Sequence, residues 1–164
     1  MSHPYQYVVL RYVPRVDRGE CLNVGVVVHS QSAGVLRCAV HVDDARIRAV
    51  EPDADLDGLR AALEAVRTMC DHAPSDASAT LSTQGKRFGW ISAPRSTVLQ
   101  PGPVHGGSVP DPAAEVDRLN AQVGAAEARA IIANRPYLTK GELVTKGVLP
   151  VGPYLSLKHL VVAM

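Results

Sequence analysis

Three strand-like runs open the chain, joined by connections too short for any parallel crossover. YQYVVLRYV (Tyr5 to Val13) is apolar through its middle and stops at Pro14. CLNVGVVVHS (Cys21 to Ser30) and VLRCAVHV (Val35 to Val42) follow, with VDRGE and QSAG as the links. A parallel pair needs a crossover of a dozen or more residues, whereas links this short close hairpins. The N-terminal segment therefore reads as an antiparallel meander, and its apolar side needs a cover.

The cover is written into the next segment. DDARIRAVEP predicts a short helix, capped by Asp43 or Asp44 and ended before Pro52. In PDADLDGLRAALEAVRTMC, the residues Leu56, Leu59, Leu63, Val66 and Cys70 step by three and four in alternation, which lines one helix face. Asp53 or Asp55 stands in place to cap it, and this helix is expected to lie across the meander. After a polar stretch from Asp71 to Thr83, Phe88, Trp90 and Ile91 are expected to return aromatic bulk to the core. STVLQ (Ser96 to Gln100) reads as a last strand, and the Pro- and Gly-rich stretch from Pro101 to Pro112 as a loop, with a helix starting after Pro112.

The segment beyond is a run of short helices. EARAIIANR ends at Pro136, Thr139 to Glu142 fits a capping box, and Pro153 opens a final helix carrying Leu157, Leu160 and Val161. The expected class is α+β: an antiparallel meander sheet covered by one or two helices, with a compact all-helical C-terminal tail. The expected division is an α+β domain over 1–110 and the tail over 111–164.

Composition narrows the function. At 46% hydrophobic the chain can bury a core, yet it has only five Tyr, one Phe and one Trp. The core must rest on aliphatic side chains. The odd, widely spaced Cys21, Cys38 and Cys70 read as reduced thiols of a cytosolic protein. No apolar run approaches the ~20 residues of a membrane span, and the N-terminus lacks a signal-peptide pattern. A cytoplasmic location without a membrane partner is expected. Abundant Ala, Val, Arg and Gly point to a GC-rich bacterial source.

Net charge is +1, which recruits neither nucleic acid nor an anionic membrane by itself. It is unevenly spread. Residues 1–122 hold 12 Lys+Arg against 14 Asp+Glu, and residues 123–164 hold 5 against 2, so the tail carries +3. Three of the four lysines also fall there. The tail leans basic, mildly.

Two resemblances organise the candidate residues. YVVLRYVPRVDRGECLNVGVVV, with APRSTVLQPGPVH at 93–105, resembles an uncharacterised bacterial domain-of-unknown-function family often described as encoded beside HipA-like kinases. Its motif falls on Arg11, Glu20, Asn23, Gly25, Arg95, Ser96 and His105. VGAAEARAIIANRPYLTKGELVTKGVLPVGPYLSLKHLVVA resembles the helix-hairpin-helix DNA-binding tail of ComEA-type competence proteins, through Ile131, Ile132, Arg135, Pro136, Tyr137, Leu143, Val144 and Leu149. Such a unit grips phosphates through backbone N–H groups of a glycine hairpin. Here the hairpin is Val123-Gly124-Ala125, with one glycine in place of two, and the leucine-proline entry before it is replaced by RLNAQ.

Two functional readings result. In the first, the protein is a small accessory or binding module. Its tail either packs as a cap or touches a nucleic-acid backbone through Gly124, Arg129, Lys140 and Lys146. The implied partners are a kinase-like protein neighbour and, weakly and without sequence preference, nucleic acid. In the second, Arg11, Glu20, Asn23, Arg95, Ser96 and His105 converge in a pocket of a cofactor-independent enzyme. Guanidinium groups would fork an anionic metabolite and His105 would move a proton near neutral pH. The plainer alternative for these residues is that Glu20 pairs with an arginine and Asn23 holds a turn. Cys38 and His41, at C-x-x-H spacing on a strand, face opposite sides, so no metal site is expected. No phosphate loop, dinucleotide fingerprint or nucleophile elbow is present. The sequence leaves oligomeric state, substrate and ligand open.

Overall fold

In the computed structural model, residues 1–73 and 79–123 are described. The meander comes first along the chain: β1 (His3–Tyr12), β2 (Leu22–Ser30) and β3 (Val35–Val40), each antiparallel to its neighbour. A single 3-10 turn, Val16–Arg18, lies in the first link. The second link closes with Gly34 at φ +64°, left-handed backbone that a glycine adopts without a Cβ clash. Among the described residues the α-helices are α1 (Asp44–Val50), α2 (Leu56–Asp71), α3 (Gln84–Ser92) and α4 (Pro112–Val123).

Between α3 and α4 the chain returns to the sheet as β4 (Leu99–Pro101) and β5 (His105–Val109), both antiparallel to β1. The order is β3-β2-β1-β4, with β5 also on β1. The edge differs from the expectation, because residues 105–109 sit in the stretch read as loop. Glycine and proline hide the strand, but an edge strand needs only main-chain pairing to form. β1 thereby becomes a central strand.

Alternation along β1 separates two apolar layers. Val8, Leu10 and Tyr12 face α1, α2 and α3, in a cluster with Val24, Val27, Ile47, Leu59, Leu63, Phe88 and Ile91. Tyr5, Tyr7 and Val9 point the other way, toward Val116 and Leu119 of α4. The predicted face of α2 is the observed one, since Leu56, Leu59, Leu63, Val66 and Cys70 are all buried. Asp43 accepts from Arg46 N at 3.1 Å and Asp55 from Gly58 N at 2.9 Å, so each choice of cap is resolved.

One expectation changes. Phe88 and Ile91 enter the core, but Trp90 stays 45% exposed on the outer side of α3. And α4 belongs with the sheet. The hydroxyl of Tyr5 donates to Glu115 Oε1 at 2.8 Å, and Arg118 donates to the same carboxylate from Nε at 2.7 Å and Nη2 at 2.5 Å. Glu115 is only 5% exposed, so this network pins α4 to β1 from inside. One compact unit runs from Met1 to Val123. Among the described residues no helix is long and apolar enough to cross a membrane.

Candidate functional site

Arg11 stands on the α4 side of the sheet, with Asn23 of β2 and Gln100 of β4 as its cross-strand partners. A β-bulge sets this row. The β1–β2 register shifts between Leu10 and Arg11, which leaves Val24 unpaired and brings Asn23 opposite Arg11. Three polar side chains thus cross three strands on a face whose preceding positions, Tyr7 and Val9, join the apolar layer.

Arg11 is half-buried, and among the described residues its guanidinium has no hydrogen bond or ion pair. It lies against Gly102, where a Cβ would stand 3.1 Å from Cζ. The carboxamide of Asn23 is also without a partner among the described residues, and Gln100 Nε2 donates to the carbonyl of Thr97 at 2.9 Å. A guanidinium flanked by two carboxamides offers a fork and further hydrogen-bonding groups to a carboxylate or phosphate oxygen.

The other predicted residues are placed as follows. Glu20 is exposed and faces Arg18 Nη1 at 3.8 Å, a surface pair of small energetic weight. Arg95 lies over the Trp90 ring, 4.4 Å from its centroid, and donates to the Trp90 carbonyl at 2.5 Å and the Ala93 carbonyl at 3.4 Å. It closes the C-terminal end of α3, where carbonyls lack helical partners. Ser96 is exposed beside it. His105, on β5, stacks on Tyr7 with ring centroids 5.1 Å apart. Tyr7 and Arg11 share a face of β1, but four residues of strand separate them by about 13 Å. Among the described residues no hydrogen bond or ion pair joins Glu20, Arg95, Ser96 or His105 to Arg11. Gly124, Arg129, Lys140 and Lys146 lie outside the described residues.

No cluster of three or more His, Cys, Asp or Glu among the described residues is placed to hold a metal ion. Cys38 instead meets Cys70 of α2. A hydrogen bond with Cys38, together with burial, pushes the Cys70 thiol up, which keeps it a protonated packing group.

Sequence reasoning passed over His29. It follows the apolar run Val24 to Val28 on β2, is 8% exposed, and stacks on Phe88 of α3 at 5.3 Å and 20°. Burial holds its pKa below the usual imidazole value, so the ring is neutral at pH 7. Its nitrogens have no hydrogen-bond partner among the described residues. The ring borders two clefts, one of about 610 Å³ with Pro4, Tyr5, Gln6, Gln31 and Ser32, and one of about 290 Å³ with Gln31, Thr83, Gln84 and Gly85. The signal was available: a strand apolar on both faces places a histidine at its end inside the fold.

Residues 7–123 match the family model described as Protein of unknown function (DUF3037). The chain belongs to this family. The match starts within β1 and ends with α4, so it takes in most of the sheet and helices α1 to α4. Both the Arg11 row and the His29 clefts fall inside it. No curated protein and no solved structure matches the chain.

Proposed function

We propose that this family member is an accessory module that binds a partner through an acidic group docked at Arg11, Asn23 and Gln100. The observation that carries the reading is the state of Arg11. A half-buried guanidinium without a counter-ion among the described residues is a poor way to stabilise a sheet and a good way to receive an anion from outside. The partner proposed is the kinase-like protein that the family resemblance puts beside it, with a bacterial, cytoplasmic setting for both.

The enzyme reading, a cofactor-independent catalyst acting on an anionic metabolite, requires Glu20, Arg95 and His105 to share a ligand with Arg11. The first two are engaged with Arg18 and Trp90, and His105 stands about a strand's length away. Those placements weigh toward binding. For the tail, its +3 charge supports weak contact with a nucleic-acid backbone, and the single glycine at the expected hairpin supports the cap. The test is a calorimetric titration of the full chain with the kinase-like neighbour, repeated with Arg11→Glu. Binding that vanishes in the variant supports the module, and equal binding refutes the assigned face.

A further inference from the structure

We infer that the first turn of α3 and the His29 ring together form a binding site for the carboxylate of a small hydroxylated acid, separate from the Arg11 row. The helix is nine residues long and is capped by Thr83, whose Oγ1 accepts the Lys86 N–H at 3.2 Å. The N–H groups of Gln84 and Gly85 have no partner among the described residues. Such a helix start presents donors and roughly half a positive charge to an anion.

His29 is the independent observation. It is more than nine-tenths buried, its nitrogens have no partner among the described residues, and it borders the cleft formed by that same turn. A Cβ on Gly85 would lie 3.7 Å from His29 Cε1 and 3.9 Å from Nε2, so the ring edge meets the first turn directly. A neutral imidazole supplies one donor and one acceptor.

The lining selects the ligand class. Among the described residues, none that borders the two clefts carries a full charge. Half a charge and a neutral ring suit a monoanion and undercompensate a phosphate dianion. The smaller cleft takes the carboxylate. The larger one, sharing His29 and Gln31 as a common wall, offers amides and a hydroxyl to a body bearing several hydroxyls, within the usual size of small-molecule sites.

The test is an NMR titration of the full chain with sodium gluconate, against sodium chloride at equal ionic strength and against inorganic phosphate. Saturable shifts of the Gln84 and Gly85 amides and the His29 ring with gluconate alone are expected. His29→Phe keeps the stack on Phe88 and removes both nitrogens. Its affinity should drop at least about tenfold, the scale of one hydrogen bond to a charged group. Gly85→Leu fills the cleft while improving helix propensity, and should abolish the shifts even if His29→Phe fails to fold. Absence of saturable shifts, unchanged gluconate affinity in Gly85→Leu, or equal saturation by phosphate would overturn the assignment.

Discussion

The guanidinium of Arg11 rests on the main chain of Gly102, at a distance where any side chain there would intrude. Gly102 itself is fixed by its N–H donating to the Val9 carbonyl at 2.8 Å, so the platform belongs to the same sheet as the arginine it supports. The relationship gives a way to move Arg11 without deleting it. In Gly102→Ala the methyl group displaces the flexible end of one side chain, and stability should change by no more than about 0.5 kcal/mol. Partner affinity should fall while the melting temperature holds. A parallel loss of both would mean that Gly102 is needed for the edge strand itself.

Packing of α2 is tested by Leu63→Ala. Leu63 is 2% exposed within the cluster that joins α2 to the sheet, so its truncation should cost about 2–5 kcal/mol in urea unfolding. A change near zero would contradict the docking of this helix.

Tyr5→Phe removes the hydroxyl that reaches Glu115, and should destabilise by about 1.5–3 kcal/mol, the range for a hydrogen bond to a charged group. The same network has a pH signature. The hydrogen bond from Arg118, with that from Tyr5 and against burial, lowers the Glu115 carboxyl below its usual 4.5. Its contribution is therefore present above the usual carboxylate range and is lost as pH falls through the lowered folded value. Glu115→Gln should flatten the acid limb of the stability curve, read by thermal unfolding between pH 6 and 3. An unchanged acid limb would remove Glu115 from the account.

How far the sequence discloses this protein depends on where each residue's environment comes from. The α2 face, from Leu56 to Cys70, is a local periodicity, and the caps Asp43 and Asp55 are local chemistry; both are legible. β5 is not, because the pairing of Gly106 and Gly107 with β1 is a main-chain event that leaves no side-chain pattern. Trp90 misleads for a related reason: its ring is covered from outside by Arg95 rather than by the core. Of the candidate site, Arg11 and Asn23 are visible as polar residues in apolar strands. Their alignment depends on the bulge, and Gln100 joins them only through the late return of β4. His29 acquires its clefts from α3, which arrives from far along the chain.

The tail is tested by pairing two measurements. If it contacts nucleic acid, the full chain should bind duplex DNA at low salt and lose that binding steeply as salt rises, and Lys140→Glu with Lys146→Glu should abolish it. If it is a cap, those changes should do little, and ending the chain after Val123 should lower the melting temperature. Absence of binding at low salt, together with a lowered melting point on truncation, is the expected result.

The central claim is that Arg11 receives an acidic group from a protein partner. The most direct measurement is a calorimetric series with the proposed kinase-like partner at two salt concentrations, using wild type, Arg11→Ala and Asn23→Ala, each checked by circular dichroism for an intact fold. The account predicts at least about a tenfold weakening in Arg11→Ala, a smaller one in Asn23→Ala, and a reduced salt dependence in the arginine variant. Wild-type affinity and salt dependence retained in Arg11→Ala would contradict it.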